Sequence, residues 1–387
     1  MRTNNNISPG EMLWENIINL VKLTQEEKYL FEKNLEKYLK ELLEDPTISL
    51  LCELEEPAWD ELEKWGEIEI LKDLPNWGII NVRKGDISQL IHKSLFKRVE
   101  PNFKITAYPI FSEGEEKEEW NLDIIKASAA WEKGILGENI KVGIIDTGID
   151  YEHPFLNKNY KGGYNFVKNN DNPWDDNGHG THCAGIVGAS GSSWEGKGGK
   201  GVAPSSQLYA LKVLSSDGSG QISSIIKAIS WAIEHHISII NLSLGSRFPS
   251  SPLHQAIKKA YKEGIIITAA AGNEVIGPSF PAFYDECIST AAIDKEKKPA
   301  IFSNRDPHID ISAPGVKVYS TIPGGKFASY SGTSMAAPHI AGIAALILSK
   351  EKIKNEDFIN QLKSNAEALP RHSFEVGAGL ARVDRML

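Results

Sequence analysis

Four separated side chains in this sequence have the types needed for acyl-transfer chemistry. Asp146 ends the apolar run Lys141–Ile145, and His179 lies in a Gly-rich segment. Asn273 follows the small residues 269–272, and Ser334 begins a long apolar segment with helical spacing. A carboxylate can orient an imidazole, which can then take the proton from a hydroxyl that attacks a carbonyl. These residue types therefore suggest acyl transfer.

Each of the four residues also has an ordinary structural interpretation. An Asp at a strand end often caps a loop, an Asn after Gly is usually a turn residue, and Ser334 could be a simple helix N-cap. His179 and His182 have a spacing that two zinc ligands could share, but the sequence lacks an H-E-x-x-H motif and an obvious third ligand. The residue types alone leave these alternatives open.

The segment that carries these residues predicts an α/β fold. After Trp120, short apolar runs alternate with helical patterns. Such alternation predicts a mostly parallel sheet with helices on both faces, whose site lies at the carboxyl ends of the strands. The predicted strands are 141–145, 208–213, 237–242 and 265–269, and the predicted helices are 222–235, 253–263 and one starting near 334.

The first third of the chain has a different composition. Residues 1–119 contain 25 acidic and 15 basic side chains, whereas the remainder is nearly balanced. The patterns predict helices in residues 1–48, a small α+β domain over 49–112 and an acidic linker over 113–119. Residues 120–387 would form the large domain. Within 49–112 we expect strands at 50–54, 68–71 and 79–82, a helix at 87–96 and an extended segment at 103–108.

Composition excludes several protein classes. The chain has 387 residues, of which 41% are hydrophobic and 24% charged, and this balance is typical of a globular protein. A net charge of −9 offers no basic surface for nucleic acid. Apolar runs fall short of the roughly 20 residues that span a bilayer. The start lacks a signal-peptide profile, so as written the chain is expected to be cytoplasmic, and secreted if the start is truncated.

The surrounding sequence strongly resembles the subtilisin-like serine peptidases, or subtilases. The matching stretches, in order, are Val142-Gly-Ile-Ile-Asp-Thr-Gly-Ile149, Asn177-Gly-His-Gly-Thr-His-Cys-Ala-Gly185, Gly201-Val-Ala-Pro204, Asn241-Leu-Ser-Leu-Gly245, Ala271-Gly-Asn273 and Gly332-Thr-Ser-Met-Ala336. Several separated motifs in one order rarely coincide by chance. The resemblance covers roughly Trp120 to Leu387 and implies a subtilisin-like fold and serine endopeptidase activity.

The resemblance assigns roles to individual residues. Ser334 would be the nucleophile, His179 its general base, and Asp146 the carboxylate that orients the imidazole. Asn273 would donate a hydrogen bond to the oxyanion. His182 would be structural, and Cys183 would be a buried residue behind His179.

The resemblance also implies a groove for an extended peptide. An edge strand on one side of the groove and a second segment on the other side would bind the peptide backbone. Small residues would leave room for a bulky apolar side chain at the position before the cleaved bond. We expect Phe, Tyr, Leu or Met there, with Ser279 as a candidate for the pocket floor. The predicted binding residues are Gly218, Ser219, Gly220, Ser243, Leu244, Gly245, Ala270, Ala271 and Gly272.

Residues from about 50 to 108 lie where subtilases carry a propeptide, which implies an intramolecular chaperone and inhibitor whose segment 104–108 occupies the groove. The chain would then be a zymogen that processes itself. Pro109 after Tyr108 disfavours a cut at that bond, which points to cleavage within 110–119. The alternative function is a catalytically silent or permanently inhibited binding protein on the same fold.

Substrates are expected to be proteins or peptides, and no cofactor is expected to take part in catalysis. The calcium ligands of many relatives are missing: Phe155 directly follows His153-Pro154, and the loop 188–201 is rich in Gly and Lys. Asp171, Asp175 and Asp176 could instead form a weak structural calcium site, although a solvated acidic loop is the more ordinary interpretation.

Overall fold

The computed structural model describes residues 47–56, 59–83, 86, 95–108, 111–112, 120–191, 199–275, 277 and 279–387. They fall into two compact units, one up to residue 103 together with 247–256, and one formed by 104–246 and 257–387. The predicted helices of residues 1–46 lie outside the described residues. The predicted domain boundaries at 48, 112 and 119 stay predictions.

The first unit contains an antiparallel sheet. Its strands are β1 (Thr47–Leu54), β2 (Gly66–Ile70), β3 (Trp77–Arg83) and β4 (Phe96–Pro101), in the order β2-β3-β1-β4. Leu50 pairs with Ile80 in the register of β1 and β3, and both side chains are buried. Two short 3₁₀ turns, Trp59–Glu61 and Glu63–Trp65, precede β2.

The second unit contains most of the other elements. They are β5 (Lys104–Ala107), β6 (Phe111–Ser112), α1 (Trp120–Ile124), α2 (Ser128–Trp131), β7 (Lys141–Asp146), β8 (Tyr160–Asn165), α3 (His179–Gly188), β9 (Gln207–Lys212), β10 (Ser219–Gln221), α4 (Ile222–Glu234), β11 (Ile239–Leu242), β12 (Leu244–Gly245), α5 (Ser251–Lys262), β13 (Ile266–Ala270), β14 (Ile288–Ile293), β15 (Ile311–Pro314), β16 (Val318–Ile322), β17 (Lys326–Ser331), α6 (Thr333–Lys350), α7 (Asn355–Ser364) and α8 (Ser373–Val376). Helix α5 belongs partly to each unit.

The main sheet is parallel, with strand order β15-β14-β13-β11-β7-β9-β8. Every residue of β11, β13 and β14 is buried, so both faces of these strands are covered. Helix α6 is buried from Thr333 to Ile347 and packs in the main core with α3. The predicted fold class, a mostly parallel α/β sheet preceded by a small α+β region, is confirmed.

Strand ends of this sheet position the candidate residues. Asp146 is the last residue of β7, Ser243 directly follows β11, and Asn273 is the third residue after β13. Because β7, β11 and β13 are parallel neighbours, their carboxyl ends lie at one edge.

Two parts of the secondary structure differ from expectation. Phe96 was expected to end a helix but begins strand β4, and residues 87–94 of that helix lie outside the described residues. Strand β8 has the sequence Tyr-Lys-Gly-Gly-Tyr-Asn, which lacks the aliphatic run used to predict strands. It is a strand because it pairs with β9, a tertiary contact that local sequence does not reveal.

Helix α6 offers a direct test of this packing. Ile343 is fully buried in α6, so Ile343→Ala should lower the free energy of unfolding by about 2–5 kcal/mol. Urea unfolding followed by circular dichroism measures this change. Ile301→Ala is the matched control, because Ile301 is 86% exposed and its loss should cost less than about 0.5 kcal/mol. Equal losses from both variants would contradict the described core.

Candidate active site

A buried carboxylate and a buried imidazole form the centre of the site. The Nδ1 atom of His179 lies 2.8 Å from Oδ1 and 2.9 Å from Oδ2 of Asp146. An ionised carboxylate can only accept, so Nδ1 carries the proton and Nε2 faces away from Asp146. Both side chains are at most 2% exposed. The two residues are 33 positions apart, and the fold brings them together as predicted.

Close backbone packing brings the helix of His179 to the strand of Asp146. Gly180 follows His179 in α3, and a Cβ there would overlap the Gly148 carbonyl oxygen. The Gly180 N–H donates to Thr147 Oγ1 at 2.9 Å, and the Thr147 N–H donates to Asp146 Oδ1 at 2.7 Å. Glycine at 180 is therefore required by space.

The electrostatic environment separates the two histidines of this segment. Burial lowers the pKa of His179, but the Asp146 carboxylate and its hydrogen bond raise it, and the net direction is upward. Burial lowers the pKa of His182 to about 3, and the hydrogen bond that its Nε2 donates to the Ala328 carbonyl at 3.1 Å offsets only part of this effect. The two imidazoles therefore differ, because the pKa of His179 is raised and that of His182 is lowered.

Ser334 is the second residue of α6 and is fully buried. Its hydroxyl donates to the Ser243 carbonyl at 3.1 Å, and His179 Nε2 has no hydrogen-bond partner among the described residues. The expected bond from Ser334 to His179 is therefore not made in this form. The physical reason is the competing acceptor at Ser243. Rotation of the Ser334 side chain would redirect its hydroxyl from Ser243. Catalytic hydrogen bonds are often long or poorly aligned when no substrate is bound.

Asn273 reaches the start of the same helix. Its Oδ1 accepts from the Thr333 N–H at 3.0 Å and from the Thr333 hydroxyl at 2.8 Å. These bonds orient the side chain so that its donor Nδ2 lies near Gly332, 3.1 Å from where a Cβ there would be. The Thr333 Oγ1 also accepts from the Gly272 N–H at 3.1 Å. Thr333 lies in the motif 332–336, but this orienting role was not predicted for it. Its place between Gly332 and Ser334 was the only indication in the sequence.

Cys183 lies behind His179, where it was expected. It is fully buried, burial raises its thiol pKa, and its Sγ donates to the Ser334 carbonyl at 3.4 Å. Asp146, His179 and Cys183 are the one group of three metal-ligating side chains found among the described residues. Asp175 and Asp176 have other partners: Asp175 is buried and accepts from Thr181, and Asp176 pairs with Lys212.

Strand β5 lies in the predicted groove. It runs antiparallel to β10 on one side, pairing Thr106 with Ser219 and Ile105 with Gly220. On the other side it pairs with β12, where Ala107 faces Leu244 and Thr106 faces Gly245. The Ala107 N–H also donates to the Gly218 carbonyl at 2.8 Å. Gly218, Ser219, Gly220, Leu244 and Gly245 therefore surround an extended segment of this chain.

The residue after β5 fills a small-walled pocket. Tyr108 is buried and packs with Ala270 and Ala337. Its hydroxyl is hydrogen-bonded to Ser279 Oγ, and a Cβ at Gly245 would overlap that hydroxyl. Ala271, also predicted for the pocket, packs in a separate cluster with Ala291 and Ile309. The chain continues to β6, which pairs antiparallel with β17.

Comparison with known proteins matches this geometry to a family. The model of the Subtilase family matches residues 137–379, which include all four candidate catalytic residues. The chain belongs to the subtilase family. It is a subtilisin-like serine endopeptidase.

Several subtilisins align with the large domain. A subtilisin of Bacillus pumilus is 45% identical over 271 residues, which cover 68% of this chain and 96% of that protein. Subtilisin E of Bacillus subtilis (strain 168) is 45% identical over the same length, covering 68% and 70%. M-protease of Shouchella clausii (strain KSM-K16) is 36% identical over 366 residues, covering 92% of this subtilase and 90% of M-protease. That last alignment extends into the region preceding residue 120.

Among the residues that the structure describes, no helix combines the length and apolar character needed to cross a membrane. The cytoplasmic location and the absence of nucleic-acid binding stay predictions, as does the structural calcium.

The electrostatics of His179 predict a shift in the pH profile. Protonated imidazole cannot accept a proton, so peptide hydrolysis should fall as pH drops through the raised pKa of His179. Asp146→Asn removes the carboxylate that raises this pKa and leaves burial to lower it. The acid limb of kcat/KM should therefore move to lower pH, while the plateau falls by about 10⁴, as for the same change in another serine peptidase.

The exposed Asp171 provides the control for this experiment. Asp171→Asn removes a negative charge from the loop before His179 and should leave the profile unchanged. An acid limb at the wild-type pH in Asp146→Asn would contradict the described electrostatics.

Proposed function

We propose that this subtilase is made as a zymogen and hydrolyses proteins through Asp146, His179 and Ser334, with an acyl-enzyme intermediate. The hydrogen bond between the buried Asp146 carboxylate and His179 Nδ1 is the observation that carries the proposal. It fixes the tautomer that leaves Nε2 unprotonated. Nε2 also lacks a partner among the described residues, so it is available for the serine proton.

The proposed reaction begins when the Ser334 hydroxyl leaves the Ser243 carbonyl and turns to His179. Nε2 takes the proton as Oγ attacks the scissile carbonyl, and Asp146 stabilises the imidazolium that forms. The imidazolium returns the proton to the leaving amine. Water then repeats the sequence on the acyl-enzyme and regenerates Ser334.

The oxyanion of the tetrahedral intermediate would be stabilised by two donors at the start of α6. These are the Asn273 side-chain amide, held by Thr333, and the Ser334 backbone N–H. The first N–H groups of a helix have no acceptor within the helix, and the helix dipole favours negative charge there. In a subtilisin, removing one such donor costs roughly 10²–10³ in kcat, and we expect a similar value here.

Protein substrates would bind as β5 does, as a strand between β10 and β12. Main-chain hydrogen bonds of this kind give affinity for many sequences, while pockets select side chains. The pocket of Tyr108 is walled by Ala270 and Gly245, which supports the preference for bulky apolar residues before the cut. Ser279 adds a polar contact at the end of the pocket, and this contact favours Tyr.

In the zymogen, the region from about residue 50 to 108 would act as the inhibitor, with its segment 104–108 in the groove. Tyr108 occupies the pocket, and the chain is held on both sides by β5 and β6. Pro109 follows Tyr108 and resists cleavage at that bond. We therefore propose that processing occurs within 110–119 and that the segment remains a competitive inhibitor until it dissociates.

The alternative is a permanently inhibited binding protein. Two features are also consistent with it: the Ser334 hydroxyl donates to the Ser243 carbonyl rather than to His179, and Pro109 follows Tyr108. The two functions differ in whether the purified chain cuts itself. No cofactor is required in the proposed reaction, because the chain supplies the nucleophile, the base and the oxyanion donors.

Self-processing provides the test. Purified wild-type protein should release an N-terminal fragment that ends within 110–119, whereas Ser334→Ala should stay intact because it lacks the nucleophilic hydroxyl. Intact mass spectrometry measures the cut and its position. Ser349→Ala is the control, since Ser349 lies in the same helix and bonds the Leu346 carbonyl. Proteins that stay intact and resist a fluorophosphonate at Ser334 would favour the inhibited binding protein.

The Ser279 hydroxyl predicts discrimination between Tyr and Phe before the cut. A neutral hydrogen bond contributes about 0.5–1.5 kcal/mol, so kcat/KM should favour Tyr over Phe by roughly 2- to 10-fold. Ser279→Ala should bring this ratio to about 1, as measured with matched peptides. Ser238→Ala, which follows Ile237 and precedes β11, should keep the wild-type ratio. A ratio unchanged in Ser279→Ala would contradict the pocket assignment.

A further inference from the structure

The end of strand β9 contains a fully buried lysine. Lys212 is 1% exposed and follows Leu208, Ala210 and Leu211, which are also buried. Its ammonium donates to the carbonyl oxygens of Thr147 and Leu214 and to Asp176 Oδ1, the last two at 2.9 and 2.7 Å. An ammonium has three N–H donors, and all three are used. The predicted strand 208–213 contained Lys212, but no role was predicted for it.

The bond to Thr147 leads directly to the catalytic pair. The Thr147 N–H donates to the Asp146 carboxylate, and its hydroxyl accepts from the Gly180 N–H beside His179. Lys212 is itself the register partner of Asp146 across β7 and β9. Because Lys212 holds the Thr147 carbonyl, it restricts a residue that is hydrogen-bonded both to Asp146 and to the helix of His179.

The other two bonds connect segments that flank the same pair. Asp176 lies three residues before His179, in the loop that enters α3. Leu214 begins the turn whose Ser215 N–H donates to the Ser219 carbonyl in β10, the substrate-binding edge. One ammonium therefore joins the loop after β7, the loop before α3 and the start of the substrate edge.

We propose that Lys212 is a positioning residue for catalysis, acting through Thr147 to hold Asp146 and His179 in hydrogen-bonding geometry. The effect on turnover rests on the proposed function. Lys212 touches neither the reacting atoms nor the peptide. Small misplacements of catalytic groups can cost about 10²-fold in rate, which makes this restraint important.

The direct readout is the Nδ1 proton of His179 in the full-length chain. A proton shared with a carboxylate gives a far-downfield ¹H resonance, which His179→Gln assigns. Lys212→Met keeps a side chain of similar length but loses all three N–H donors. In this variant the His179 resonance should move upfield, or vanish because the proton exchanges with water. In the processed enzyme, kcat should fall at least 10-fold, with KM for a short peptide within 3-fold.

Three variants separate positioning from general stability and charge. Lys141→Met removes a lysine–carbonyl hydrogen bond at the other end of β7, to His235, and should change neither readout. Asp176→Asn removes the charge but keeps the acceptor oxygen, so it should also behave as wild type. Asp176→Leu removes one acceptor of the Lys212 ammonium, on a side chain that is 39% exposed. It should shift the His179 resonance in the same direction as Lys212→Met does, with a smaller loss of kcat.

A folded Lys212→Met protein with an unchanged resonance and kcat within twofold of wild type would overturn the proposal. Should Lys212→Met not fold, an unchanged resonance and kcat in Asp176→Leu would overturn it equally. Failure of the proposed function is a separate result, namely no labelling of wild-type Ser334 by a fluorophosphonate, and the resonance comparison remains valid in that case.

Discussion

The hydrogen-bonded contact between Asp146 and His179 imposes the strictest requirement on this structure, since both groups are removed from water. An ionised carboxylate is expensive to bury unless several donors replace its lost hydration. The His179 Nδ1–H and the Thr147 N–H are such donors. The same bonds that compensate for burial also fix the imidazole tautomer, so stability and chemistry depend on one geometry.

The surrounding polar groups extend this arrangement outward. Asp175 is buried and accepts from Thr147, Thr181 and backbone N–H groups that precede His179. Lys212 adds a buried cation with three acceptors. These hydrogen bonds make the arrangement rigid, because displacing Asp175 or Lys212 leaves buried partners unpaired. The Asp146–His179 pair therefore lies within a set of hydrogen-bonded loops at the sheet edge.

In the proposed function, strand β5 of the second unit connects substrate binding and regulation. A groove that accepts any extended peptide through main-chain bonds also accepts the enzyme's own chain. The segment is covalently attached, so its effective concentration is high and it can occupy the groove without exceptional contacts. In the proposed zymogen, Tyr108 would bind in the pocket as a substrate residue does, while Pro109 in the sequence resists cleavage of the bond after Tyr108.

Much of the fold and candidate site could be predicted from sequence, because the motifs around Asp146, His179, Asn273 and Ser334 are contiguous and family-specific. The parallel sheet followed from apolar runs alternating with helical patterns, and strand ends then located the site. Strand β8 escaped prediction because its pairing with β9, rather than its own residues, makes it a strand.

Other features were decided by tertiary structure alone. Local sequence could not show that the Ser334 hydroxyl prefers the Ser243 carbonyl, since the two residues are 91 positions apart. Nor could it show that Thr333 orients Asn273, or that Lys212 is buried with three acceptors. Hydrogen-bond partners of buried polar groups depend on which distant segments meet, and only the assembled fold determines them.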